Sequence, residues 1–253
     1  MKLDELDNIL NELYQFESFE DYCKNGIQVE GKRNIKIINL GVTLSYDLIL
    51  DSINKKADAI IVHHGIFGKR FFELKGILKS RIKLLLENDI SLIGIHLPMD
   101  AQPSIGHNKV ISDIIGIKNL EKFKYGFIGE NNLNLNIDQI KDKMESFYNI
   151  NFKNLINLNS IKLIKNSEQI PYKVCVISGD SYKYFEEAIG KEVDLFVCGS
   201  INEYIPAIAK EASKSILVLG HYNSELPGIL YLSNFLREKY ELETYCNYYE
   251  NDL

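Results

Sequence analysis

The first hundred residues alternate between helix-spaced and continuous apolar positions. Leu3, Leu6, Ile9, Leu10 and Leu13 recur at helical spacing, which predicts an amphipathic opening helix. Asn25-Gly26 and Glu30-Gly31 mark turns around a short strand at Ile27–Val29. The β-branched run Ile35–Val42 predicts a longer strand. A helix over Tyr46–Lys55 follows, with Leu48, Ile49 and Ile53 on its inner face, and then a buried strand at Ala59–Val62. A second helix over Lys79–Asn88 feeds the strand Ser91–Ile95. Strand, helix and strand in this order imply a parallel, right-handed crossover.

After Asp100 a polar loop through Pro103 leads to a helix near Asn108–Ile115. From about Gly129 to Pro171 the chain is rich in Asn, Lys and Ile; a helix at Ile137–Tyr148 with hairpin-like strands around it is expected. The pattern restarts at Tyr172 with Lys173-Val174-Cys175-Val176-Ile177-Ser178-Gly179. It continues through a helix at Tyr184–Ile189, a strand at Leu195–Val197, a helix at Ile205–Ala212 and a strand at Ile216–Leu219. A closing helix is expected to start after Ser224 as its N-cap, with Pro227 in the first turn and Leu226, Ile229, Leu230 and Phe235 on its apolar face. The chain therefore reads as α/β: two βαβ-type repeats with a central mixed or parallel sheet flanked by helices. Residues 1–128 form the first repeat, 129–171 an inserted segment and 172–253 the second repeat.

Two phrases of the first repeat return in the second. Ala57-Asp58-Ala59-Ile60-Ile61-Val62-His63-His64-Gly65 is echoed by Val193-Asp194-Leu195-Phe196-Val197-Cys198-Gly199. Leu92–Ile95 runs into His96-Leu97-Pro98-Met99-Asp100, and Ile216–Gly220 into His221-Tyr222-Asn223-Ser224-Glu225. Both endings are His-x-x-x-carboxylate. Ligands of open α/β sheets gather at the carboxyl ends of the strands. Four of the five histidines (His63, His64, His96 and His221) stand there, as a metal site between the repeats requires.

Adjacent strand residues point to opposite faces, so the strand must end at His63-His64 for both to serve one site, and Gly65 makes that turn easy. Neighbouring histidines that cannot easily serve one small ion suit two ions side by side. Imidazoles with carboxylates favour Zn, Fe, Mn, Co or Ni. Paired ions commonly share a bridging carboxylate, for which Glu225 is the best candidate. His96 is a further ligand, a group behind a ligand, or an acid/base. His107, in a polar loop, reads as a hydrogen-bonded core histidine.

Composition narrows the classes. The 253 residues carry 29 Lys and Arg against 35 Asp and Glu, a net charge of −6, which disfavours a nucleic-acid partner. Lys55, Lys56, Lys69, Arg70 and Lys75 fall in one region and read as scattered, solvated basic side chains. Cys23, Cys175, Cys198 and Cys246 form no C-x-x-C pair and read as reduced thiols of a cytoplasmic protein. No apolar stretch approaches the roughly 18 residues of a membrane span, and the acidic N-terminus does not read as a signal peptide.

At these residues the chain resembles the Nif-three-like family, short bacterial form, whose members often carry the name GTP cyclohydrolase I type 2 homologue. Asp21-Tyr22-Cys23-Lys24-Asn25-Gly26-Ile27-Gln28-Val29-Glu30-Gly31 is similar to that family's N-terminal signature. Ala57 to Phe67 resembles its double-histidine motif, His96 to Ala101 its His-x-x-x-Asp motif, and Gly220 to Glu225 its closing motif. Gly68 and Gly199-Ser200-Ile201-Asn202 depart from the usual pattern, which touches the pocket wall and not the ligands. The resemblance implies two divalent ions per chain, with His64 and Asp100 on one, His63 and His221 on the other, and Glu225 bridging. It also implies a ring-shaped homohexamer, a toroid with its sites facing an internal cavity. On this reading the protein is a metal-dependent hydrolase of a small molecule, with His96 passing the proton to the leaving group. The alternative is a non-catalytic metal-binding or regulatory assembly.

Overall fold

The computed structural model describes residues 1–68, 73–152 and 156–249. Lys69 and Arg70 of the basic stretch, residues 153–155 of the expected insert and residues 250–253 of the expected second repeat lie outside the described residues. The chain forms two compact units: Met1–Gln102 with Ile229–Tyr248, and Pro103–Gly228 with Tyr249.

The first unit opens with α1 (Leu3–Tyr14), whose inner stripe is Leu3, Leu6, Leu10 and Tyr14. It continues through β1 (Gly26–Val29), β2 (Ile37–Thr43), α2 (Tyr46–Asn54), β3 (Ala59–His64), α3 (Gly76–Glu87), β4 (Ser91–Gly94) and α4 (Leu97–Ala101). Its five-stranded sheet has the order β1-β4-β3-β2-β11, where β11 is Glu243–Cys246. β1 is antiparallel to β4, and the remaining pairs are parallel. Ser45 caps α2, its side chain accepting from the Leu48 amide. Leu48 and Ile49 of α2 and Leu85 of α3 bury with Ile60, Val62 and Leu92 in one core cluster. The strands are apolar on consecutive residues because helices cover the sheet.

The second unit contains α5 (His107–Ile115), β5 (Lys118–Phe123), β6 (Gly126–Glu130), α6 (Ile137–Asn151), β7 (Lys162–Ile164), β8 (Lys173–Ile177), α7 (Phe185–Gly190), β9 (Leu195–Cys198), α8 (Ile205–Glu211), β10 (Ser215–Val218) and α9 (His221–Ser224). Its six-stranded sheet runs β5-β6-β8-β9-β10-β7. β8, β9 and β10 are parallel; β6 lies antiparallel to β8 and β7 to β10. Phe185 and Ala188 of α7 and Ile205 and Ala209 of α8 pack with Cys175, Phe196 and Ile216. The parallel trio β8-α7-β9-α8-β10 repeats the plan of β2-α2-β3-α3-β4. The sheets do not follow the expected bounds, since β5 of residues 1–128 and β7 of the expected insert join the second sheet, and β11 of residues 172–253 joins the first.

The end of the chain departs from expectation. Ser224 is the last residue of α9 and does not cap the closing helix; its hydroxyl donates to the His221 carbonyl (2.7 Å) and accepts from the Gly179 amide (2.9 Å). The closing helix α10 spans Leu226–Tyr240. Leu226, Ile229, Leu232 and Leu236 are fully buried on it, while Leu230 and Phe235 are half-buried. No helix among the described residues is long and apolar enough to cross a membrane.

Candidate metal centre

In the first unit β3 ends on His63 and His64, and Gly65 follows. His63 is buried. Its Nδ1 lies 3.0 Å from the Ile95 carbonyl. A carbonyl only accepts, so Nδ1 carries the proton and Nε2 is the basic atom. That atom lies 3.7 Å from Asp100 Oδ2. The His64 ring sits 4.5 Å from that of His63, centroid to centroid, and its Nδ1 is 3.1 Å from Thr43 Oγ1. The His96 ring is 4.9 Å from His63 and 5.6 Å from His64. One ring nitrogen from each of His63, His64 and His96 lies within 4.8 Å of the others. His63, His64 and His96 thus stand together where β3 and β4 end, with Asp100 beside His63.

The loop after the histidine pair is held by a residue that periodicity does not reveal. Gln28 Oε1 accepts from the amides of Ile66 (2.7 Å) and Phe67 (3.3 Å), and its Nε2 donates to the Lys24 carbonyl (2.6 Å). A Cβ at Gly65 or Gly94 would collide with this side chain, so both glycines exist to let it pass.

The turn into α4 is gripped from the loop before β1. The His96 amide donates to Asn25 Oδ1 (2.7 Å) and the Leu97 amide to Asp21 Oδ2 (3.0 Å). His96 Nδ1 lies 2.9 Å from Asp21 Oδ1. Burial works against the Asp21 charge. Its bond to the His96 ring, with the Cys23 amide and Asn25, outweighs that and holds the carboxyl at about 2. Asp21, Cys23 and His96 are close enough to form a metal-binding group by distance alone. Burial and the Asp21 charge push the Cys23 thiol up to about 11, which disfavours the thiolate a metal needs.

In the second unit α9 is a single turn. It brings His221 and Glu225 together four residues apart, with Nε2 and Oε1 3.1 Å from each other. Gly179, at φ +65°, faces this pair: a Cβ there would stand 2.7 Å from Glu225 Oε1 and 3.6 Å from His221 Nε2. The absence of a side chain thus preserves room against the two donor atoms, which fits a cation-binding pair. The turn is braced by the expected insert. The Tyr148 hydroxyl of α6 donates to the Asn223 carbonyl (2.9 Å), and Asn223 Nδ2 donates to Ser160 Oγ (2.9 Å). His107 is buried at the start of α5, where its Nδ1 accepts from the Gly228 amide (3.0 Å), the hydrogen-bonded core role expected of it.

Sequence reasoning quotes Asp21, Asn25 and Gln28 only within the N-terminal signature, without a role, and misses the roles of Gly179 and Tyr148. Their partners are far along the chain; only the density of Asx and Gly in Asp21–Gly26 hints at a structured loop.

The family model described as Duf34/NIF3 (NGG1p interacting factor 3) matches residues 1–251. A Pasteurella multocida protein named GTP cyclohydrolase 1 type 2 homolog is 33% identical over 245 residues, covering 94% of each chain. A Neisseria meningitidis protein of the same name is 34% identical over 96% of this chain and 95% of its own. Among solved structures, protein ybgI, described as of unknown function, superposes with TM-score 0.88 at 29% identity, covering 99% of this chain and 98% of that one. A Thermus thermophilus protein shares the fold, with TM-score 0.85 at 23% identity over 97% of each chain. The chain belongs to the Duf34/NIF3 family.

Proposed function

We propose that this protein is a cytoplasmic metal-dependent hydrolase that binds two divalent ions per chain through His63, His64, Asp100, His221 and Glu225. The observation that carries the reading is the cluster of three imidazoles at the end of β3 and β4, each offering a nitrogen within 4.8 Å of the others. Three imidazoles crowded together bind divalent cations better than they serve a core. The short distance from His63 Nε2 to Asp100 Oδ2 supports placing both in one ligand set. The clearance at Gly179 supports adding His221 and Glu225. The family resemblance apportions His64 and Asp100 to one ion, His63 and His221 to the other, and Glu225 to both.

Zn, Fe, Mn, Co or Ni in such a set supplies Lewis acidity and brings the pKa of water toward neutrality. The chain's own contribution is to orient the donors. The Ile95 carbonyl fixes the His63 tautomer, and Gln28 pins the loop beyond the pair. His96 is the acid/base, moving a proton between the attacking water and the leaving group. The relatives' name supports a small-molecule substrate, a nucleotide or another phosphorylated or cyclic amide compound. A homohexameric ring completes the reading.

The test is a turnover screen over nucleotides and cyclic amides on protein purified without added metal, with and without chelator. Chelator-sensitive hydrolysis of one class is expected. Fully metallated protein inert on the whole panel would overturn the hydrolase and leave a storage or regulatory assembly.

A further inference from the structure

Asp21 is a carboxylate whose every bonding position is taken. Oδ1 accepts from the Cys23 amide (3.0 Å) and faces His96 Nδ1 (2.9 Å); Oδ2 accepts from the Leu97 amide (3.0 Å) and Asn25 Nδ2 (3.2 Å). The side chain of Asp21 is 2% exposed and that of His96 12%, so neither bond competes with bulk water. Two of the partners are backbone amides, which can only donate. The orientation of the Asn25 amide is settled as well, because its oxygen accepts from the His96 backbone at 2.7 Å, which leaves its nitrogen for Asp21. A carboxylate enclosed by three fixed donors is an acceptor toward the fourth.

We propose that Asp21 is the positioning residue that fixes His96 as the Nδ1–H tautomer, leaving Nε2, on the far edge of the ring, as the proton-accepting atom. This rests on the proposed hydrolase for its consequence and on geometry alone for its substance. In the reaction, Nε2 takes a proton from the attacking water as the new bond to substrate forms. It returns that proton to the leaving group as the scissile bond breaks. Asp21 stays ionised throughout and stabilises the imidazolium between the two transfers, the division of labour known from serine hydrolase triads. The backbone bonds to His96 and Leu97 add a second function, since one loop sets both where the ring stands and which nitrogen is bare. With all four donors already on its oxygens, Asp21 has no lone pair directed at a cation and is not a ligand, despite lying within metal-binding distance of His96.

The Asp21→Asn exchange tests this because an amide has only one accepting atom. With its oxygen toward Leu97 and Asn25, the Asn nitrogen opposes the Cys23 amide and donates to His96 Nδ1. The opposite orientation would set that nitrogen against both the Leu97 amide and Asn25 Nδ2. The first is favoured, and it forces the proton of His96 onto Nε2.

Long-range ¹H–¹⁵N correlation on protein without added metal reads the tautomer. The wild type should show a protonated-type signal at Nδ1 and an unprotonated-type signal at Nε2, and D21N should reverse them. A wild-type spectrum with the proton on Nε2 overturns the proposal without recourse to a variant, as does an unchanged tautomer in folded D21N. Metal content is the second readout: D21N should hold as much added Zn per chain as the wild type, and loss of the ion would make the carboxylate part of the ligand set instead. Should the wild type itself take up no ion, the hydrolase falls while the tautomer spectrum still decides this inference.

Discussion

Asp58 and Asp194 perform the same task in the two sheets. Asp58 Oδ2 accepts from the amides of Lys36 (2.9 Å) and Ile37 (3.0 Å), and Oδ1 from Lys32 Nζ (2.9 Å). Asp194 Oδ2 accepts from the amides of Tyr172 and Lys173 (both 3.0 Å), and Oδ1 from Lys214 Nζ (2.9 Å). Each carboxylate stands just before the middle strand of its parallel trio and ties down the start of the preceding one. The duplication visible in Ala57-Asp58-Ala59 and Val193-Asp194-Leu195 is therefore a duplication of strand registration.

Burial raises the cost of charge at both aspartates, but the lysine and the backbone donors outweigh it and hold both carboxyls below the usual range. A folded-state pKa depressed below the unfolded value contributes stability above about pH 4 and loses it as pH falls through the folded value. The urea midpoint should drop below about pH 4, with a shallower drop in D58N. The side chain of Asp58 is 12% exposed and that of Asp194 38%, so D58N should cost more than D194N, about 1–3 kcal/mol from the buried amides left unpaired. Equal costs would contradict this.

Gly179→Ala should damage the second half of the proposed metal set. The residue sits at φ +65°, where a side chain costs about 1–2 kcal/mol, and its Cβ would press on Glu225 Oε1. Calorimetry should show weaker metal binding in G179A as well as a lower Tm. Unchanged affinity would mean that Glu225 does not need the space.

Tyr148→Phe removes the hydroxyl bond from α6 to the Asn223 carbonyl, a buried contact. The expected loss is about 1 kcal/mol, or about 2–4 °C in Tm for a chain of this size. A Tm within experimental error of the wild type would show that the insert does not brace the His221–Glu225 turn through this bond.

Gln28→Ala frees the amides of Ile66 and Phe67. Hydrogen exchange at these two positions should accelerate, with little change along β3. Retained protection would mean that another group holds the loop after His64.

The parallel trios are legible because their strands are apolar on consecutive residues, as in Ile60-Ile61-Val62 and Leu195-Phe196-Val197, and helices cover them. Two of the edge strands are not. β7 (Lys-Leu-Ile) and β11 (Glu-Thr-Tyr-Cys) are short, and their pairing is supplied by β10 and β2 instead of by their own pattern. Ser224 misleads in the opposite way: it has the composition of an N-cap, but tertiary contacts with Gly179 and His221 claim its hydroxyl. At the candidate site the imidazoles and carboxylates stand out through spacing. The residues that orient them do not, since Asp21 meets His96 and Gln28 meets Ile66 only after folding.

The most direct test of the proposed metal centre is elemental analysis of protein reconstituted with divalent metal and freed of excess. About two ions per chain are predicted, falling in the Glu225→Gln variant at unchanged fold by circular dichroism. Substoichiometric metal in the wild type, or full occupancy in E225Q, would contradict it.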